Sequence, residues 1–311
     1  IINDRTTGAL LTEEFFMLYQ ALQNGSPVPP VTAPSYFEFL QWHNSLLNDP
    51  EGGQMQAYWQ QQLGGEPQPL KLPTDFPRQY SKNRHYGATY TVEIDAQLTA
   101  SLQQLAQQEG VTLYTVMMTA YQILLHFLTG QRDILVDTSM INRTQVRFEK
   151  TIGQCSIIHT IRTRISAEVT FSALLKQVQK TLRDALKHQG YPSSLLLEHL
   201  PLPEGPVHNR PGQVLFNLVA ANSQLSLDRL SQYGLALQPT SIIPAGSAGT
   251  FHEINTQFLQ KDGKLIGHIN YETDLYRQST MQKLMADYGA ILRQVVVRPD
   301  QVVSGLAQRY R

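Results

Sequence analysis

The chain has 311 residues, 41% of them hydrophobic and 16% charged, which excludes intrinsic disorder and supplies enough apolar matter for a sizeable core. Its 25 basic and 25 acidic residues cancel, and no basic block recommends a nucleic-acid partner. The lone cysteine, Cys155, excludes an intramolecular disulfide and a cysteine-built zinc site, and no apolar run approaches the roughly 18 residues of a membrane span. An intracellular, cytoplasmic setting is the default expectation.

From the start, Leu10-Leu11, Phe15, Leu18-Tyr19 and Leu22 repeat at three and four and predict a helix that Asn24-Gly25-Ser26-Pro27 ends. A proline-rich connector at 27–34 leads to a second, largely helical stretch over 35–63, stopped by Gly64-Gly65. Residues 66–84, with Pro67, Pro69, Pro73 and Pro77, read as a linker without regular structure. The pattern then changes. Alternation over 86–94 predicts a strand, followed by helices over 95–109, closed by Gly110, and 113–128, capped by Thr112 and stopped by Gly130. Strands are expected at 134–137 and 157–165, then a helix over 171–187. Further strands are expected at 214–219, 234–238, 253–259 and 265–271, the last two joined through Lys261-Asp262-Gly263, a hairpin signal. An amphipathic helix over 278–297 completes the order. Helices and strands interleave with a hairpin near the end, so the expected fold is an α/β sandwich with a mixed sheet.

The nine histidines show no metal spacing, and His252 and His268 read as satisfied core or edge histidines rather than ligands. Gly-x-Gly-x-x-Gly, P-loop and Gly-x-Ser-x-Gly patterns are absent, so no nucleotide cofactor and no ordinary serine hydrolase is implied.

Several segments carry more than periodicity. Ile1-Ile2-Asn3-Asp4-Arg5 opens the chain; alone, Asp4 would read as a strand end or helix cap. Tyr36-Phe37-Glu38-Phe39-Leu40-Gln41-Trp42 also reads as an amphipathic helix start. Leu72-Pro73-Thr74-Asp75-Phe76-Pro77-Arg78 lies in the linker. Gly130-Gln131-Arg132-Asp133 precedes a strand and Asn142-Arg143 follows it. Ile152-Gly153-Gln154-Cys155-Ser156-Ile157-Ile158 leads to Arg162, and His188-Gln189-Gly190-Tyr191-Pro192 ends a helix, with Gly190 expected to cap it. In this order and at these separations the segments resemble the condensation domains of non-ribosomal peptide synthetases. Asp4 matches the Asp of that family's His-His-x-x-x-Asp-Gly motif, which would place both histidines before Ile1, outside the chain. Departures are Arg5 for Gly, Glu38 for Asp, Gly190 for Asp, and Cys155, Ser156, Ile157 and Ile158 for Phe, Val, Asn and Thr.

The resemblance implies a chloramphenicol-acetyltransferase-like pair of α/β lobes with the active site in a tunnel between them. Residues 1–65 would be the last helices of an incomplete first lobe, 66–84 the linker and 85–311 the second lobe. It implies amide formation between an acyl or peptidyl thioester and an aminoacyl acceptor, both borne on phosphopantetheine arms of upstream and downstream carrier domains, with an adenylation domain adjacent and no cofactor bound directly. Asp4 would orient the histidine loop rather than act as base, and Arg143 is expected to pair with it, the alternative being a solvated surface arginine. Arg5, Gly153, Cys155 and Ile157 are the tunnel-lining candidates. Cys155 itself reads as a small buried hydrophobe rather than a nucleophile. A degenerate recruitment or spacer domain, a heterocyclisation domain and an O-acyltransferase stand as alternatives, Arg5 favouring the first. A chain of this extent is expected to expose apolar surface and to lack amide-forming activity by itself.

Overall fold

The computed structural model describes residues 3–28, 30, 32–65, 67–78, 87–166, 168–192, 195–196, 212–219 and 252–306. Among them three helices come first: α1 (Arg5–Gln23), α2 (Tyr36–Leu47) and α3 (Pro50–Leu63). The single stretch expected over 35–63 is two helices. Asn48 ends α2, and Asp49 accepts from the backbone N–H groups of Glu51 and Gly52 while Pro50 fills the first turn of α3. Helix α1 starts earlier than its apolar rhythm, because Asp4 caps it by accepting from Thr7 N.

Beyond the linker the order is β1 (Gly87–Ile94), α4 (Ala96–Gln108), α5 (Leu113–Thr129), β2 (Asp133–Met140), a short 3-10 turn (Val146–Phe148), β3 (Ile157–Arg164), α6 (Phe171–Lys187), β4 (Val214–Val219), β5 (Ile254–Lys261), β6 (Lys264–Glu272), α7 (Gln278–Val297) and α8 (Val303–Leu306). The described strands form one mixed sheet in the order β1-β6-β5-β4-β2-β3. Pairs β1–β6, β5–β6 and β2–β3 are antiparallel, and β2–β4 and β4–β5 are parallel. Strand β2 outruns its expected end because Thr138, Ser139 and Met140 continue the ladder against β3. The β5–β6 turn has Asp262 and Gly263 at φ 50° and 75°, the double positive that a two-residue hairpin requires. The strand expected at 234–238 lies outside the described residues.

Helices α4, α5, α6 and α7 cover one face of the sheet. Their contact is the core, in which Tyr121, Phe216, Phe258 and Tyr288 pack tilted or edge-to-face with centroid distances of 4.9–6.3 Å. Alternate residues of β1, β5 and β6 face the other way, and there Thr89, Asn255, Gln257, His268 and Asn270 are half-buried.

The first three helices do not stand apart from this body. Met55, Trp59 and Leu63 of α3 belong to the same buried cluster as the sheet. Trp59 stacks on His159 of β3 at 4.4 Å and donates to His188 O. The linker residues described, 67–78, carry no helix or strand, yet they are fastened. Leu70 and Leu72 are buried, Asp75 accepts from Arg277 N and Thr280 Oγ1 at the start of α7, and Arg78 pairs with buried Glu253 at 3.0 Å. His43 Nε2 bonds Gly190 O, and Gly190 packs against Leu46 and Met55 rather than turning the end of α6 left-handed. Its expected role as a left-handed cap is therefore corrected: His188 is the C-cap, and Gly190 instead lets the chain pass close to Leu46 of α2 and Met55 of α3.

Candidate functional site

The cap of α1 is also the centre of the most densely bonded junction in the described structure. Asp4 Oδ1 accepts from Thr7 N at 2.8 Å and from Arg143 Nη2 at 3.2 Å. Asp4 Oδ2 accepts from Arg143 Nη1 at 2.7 Å, Cys155 N at 3.0 Å and Ser156 N at 3.1 Å. Carboxylate and guanidinium thus meet as a fork, with both side chains only 3% exposed. Five donors saturate a group with about four lone-pair sites. Burial alone would raise the Asp4 pKa, but the bonds from Arg143, Thr7 and Ser156 outweigh it and hold the carboxyl below its ordinary value.

Arg143 reaches this place because Asn142, at φ 52°, turns the chain sharply after β2. Its Nη2 also donates to Thr7 Oγ1, Thr151 O and Gly153 O. Thr7 completes the knot: its hydroxyl donates to Gly153 O at 2.6 Å and accepts from Gly153 N at 2.9 Å. Thr7 is fully buried and was not singled out from sequence. The only local signal for it was its spacing three residues after a capping Asp.

Gly153 sits where nothing larger fits. A Cβ there would come within 2.1 Å of the Tyr36 ring, and Tyr36 Oη donates to Gln154 O at 2.9 Å. Cys155 is buried in a small cluster with Phe39 and Phe148, against Tyr36 and Trp42. Burial pushes its thiol up to about 11, so it stays protonated at neutral pH and is packed as a hydrophobe. Ile157 is half-buried at the head of β3, opposite Met140. Of the residues singled out from sequence, Asp4, Arg143, Gly153 and Cys155 therefore meet in one junction, and Arg5 and Ile157 do not. Arg5 turns away from Asp4 and donates from Nη2 to Gln257 Oε1 on β5 at 2.9 Å.

Arg143 also borders a cavity of about 780 Å³, whose walls include Tyr114, Met140, Leu182, Leu186 and Leu218 with Thr138 and Asn217 among them. Elsewhere, His252 Nε2 meets Asp137 Oδ2 at 3.0 Å in a buried pair. No cluster of three or more His, Cys, Asp or Glu side chains suited to a metal occurs among the described residues. Among them, too, no single helix is long and apolar enough to cross a membrane.

Comparisons with known proteins agree on one family. A family model described as Condensation domain matches residues 1–307. The chain is 30% identical over 302 residues to tyrocidine synthase 2 of Brevibacillus parabrevis, covering 96% of this chain and 8% of that protein. It is 26% identical over 306 residues to gramicidin S synthase 2 of Brevibacillus brevis, covering 98% of this chain and 7% of that protein. It thus spans under a tenth of these relatives' length. Among solved structures, the X-domain from teicoplanin biosynthesis superposes with a TM-score of 0.82 at 21% identity, over 97% of this chain and 69% of that one. The first condensation domain of the calcium-dependent antibiotic synthetase, in complex with a substrate analogue, does so with a TM-score of 0.75 at 17% identity, over 98% and 64%. At these identities the likeness speaks for the chloramphenicol-acetyltransferase-like fold alone.

Proposed function

The chain belongs to the condensation-domain family, and from that premise we propose that it serves amide-bond formation between a carrier-borne acyl or peptidyl thioester and a carrier-borne amine. In that reaction the amine nitrogen attacks the thioester carbonyl, a C–N bond forms, the C–S bond breaks and the donor arm leaves as a thiol. Holding both reactants on tethered arms removes most of the encounter entropy. The substrates would arrive on phosphopantetheine arms of upstream and downstream peptidyl-carrier domains, with an adenylation domain adjacent, in a cytoplasmic assembly. Residues 1–65 would act as the helices that complete a first lobe, 66–84 as the crossing and 85–311 as the second lobe.

The observation that carries this reading is the Asp4 junction. Asp4 has no acceptor capacity left for a substrate proton, so it is not the base. What it does is fix the segment before α1 against Arg143 and the 153–156 loop, an orienting role for whatever chemistry that segment borders. The test is turnover of the intact parent protein with two loaded carriers. Asp4→Ala and Arg143→Ala should each lower kcat by about a hundredfold or more, as a misplacement of about 1 Å would, with KM for either carrier little changed. Full turnover in both variants would sink the proposal.

A further inference from the structure

The sheet face away from the helices is polar where β5 meets β6. Strands β2, β4 and β5 run parallel, and parallel strands ordinarily have apolar cover on both faces. On the face away from these helices Leu135 and Leu215 are indeed buried, but Asn255 and Gln257 of β5 beside His268 and Asn270 of β6 are half-buried and polar. Arg5 reaches onto that row. It donates to Gln257 Oε1 at 2.9 Å, and Gln257 Nε2 donates to Asn255 Oδ1 at 3.2 Å. This sequence of donors fixes the direction of both amides and holds the guanidinium in one place.

Among the described residues the charge on Arg5 has no counter-charge in contact. No described carboxylate pairs with it, and the neighbouring Asp4 is saturated by Arg143 and backbone donors. Arg5 is exposed, so its cation is open to a dissolved partner. A guanidinium carries five N–H donors in a planar fork. One of them goes to Gln257, and the remainder suit a carboxylate.

We propose that Arg5 is a specificity-determining residue that receives the carboxylate of an acidic substrate on the polar face of the sheet. The inference rests on the proposed function for placing substrates beside this face, but the recognition itself needs no turnover. The carboxylate could belong to the acyl donor or to the amine acceptor, and the chemistry is the same for both.

The experiment measures binding to the full chain of two matched pairs of N-acetylcysteamine thioesters. The succinyl and succinamoyl thioesters represent the acyl side, and the glutamyl and glutaminyl thioesters represent the amine side. In wild type one acid should bind about tenfold or more tighter than its amide, as a charge-assisted pair would give, and the pair that shows the preference identifies the source. Arg5→Gly should erase the preference. Gln257→Glu should erase it too, by giving Arg5 an internal carboxylate without removing its bulk, while Arg5→Lys should keep part of it. Thermal melts of each variant check that the fold is retained. Equal affinity for acid and amide in both wild-type pairs, no saturable binding of either acid, or a preference that survives Gln257→Glu would each overturn the proposal. A preference without amide formation in the parent would defeat the proposed function and leave this recognition standing.

Discussion

Asp4 shows how a plain reading and a sharper one can both hold for a single side chain. It is the N-cap of α1, and it is also the anion that neutralises a buried arginine. Removing the charge leaves Arg143 buried and unpaired, so Asp4→Asn should cost on the order of 3–5 kcal/mol in a urea titration at neutral pH. A loss within a few tenths of a kcal/mol, the scale of an exposed pair, would contradict the geometry. His159 supplies a second titration. It is 1% exposed and stacked on Trp59; its Nε2 donates to Gln189 O, leaving Nδ1 buried without a partner. Desolvation pulls its pKa to about 4, against a bond to Gln189 and the charge of Asp137 that work the other way. The unfolded chain, titrating near 6.5, binds the proton first, so stability falls as pH drops from about 6.5 to about 4. The loss through this group is on the order of 3 kcal/mol, and His159→Phe should flatten the urea midpoint across that window. Asp4 has the opposite character: its depressed pKa stabilises the fold above the ordinary carboxylate value, and that share is lost only as pH falls below about 4.

Among elements, the junction between α2 and the 153–156 loop depends on shape more than on charge. Gly153→Ala drives a methyl into the Tyr36 ring and should destabilise by about 1–3 kcal/mol, an overpacking cost. Tyr36→Leu in the same chain should recover part of it, and strict additivity of the two losses would show that the ring is not the obstacle. The same scale explains what the sequence could and could not disclose. Residues 171–187 and the Asp262-Gly263 turn were legible because their signals are local: an apolar stripe with a Thr170 cap, and two residues that tolerate positive φ. The break between α2 and α3 was marked locally, by Asn48-Asp49-Pro50 and the loss of apolar residues until Met55, and reading 35–63 as one stretch passed over an Asp cap followed by a first-turn Pro. The end of β2 was set by its ladder with β3, and Thr7 by a partner 146 residues away. Local pattern carries neither. The pairing of Asp4 with Arg143 came into view only through the family resemblance; no spacing in the chain points to it.

At the scale of the molecule, α1 presents an extended apolar surface among the described residues. Leu11, Phe15, Leu18, Tyr19 and Leu22 share its outer side and are 37–72% exposed. An apolar stripe of this kind promotes association, so light scattering of the chain should show self-association that rises with concentration. Phe15→Lys with Leu22→Lys should suppress it, and a wild-type chain that stays monomeric at high concentration would refute the expectation. The stripe also helps to show why the fold was more legible than the site. Interleaved periodicities identify an α/β sheet, but the partners of α1 are chosen by tertiary geometry.

Asp4 and Arg143 are separated by 139 residues. During synthesis from the N-terminus, α1 emerges well before its anchor. At typical elongation rates it waits on the order of ten seconds for β2 and the 153–156 loop to be made. Throughout that interval its capping carboxylate lacks Arg143 and the backbone donors of 155–156, and its apolar side is uncovered. Helix α1 is therefore secured long after it is made, and a nascent chain stalled before Arg143 would be a natural client for chaperones.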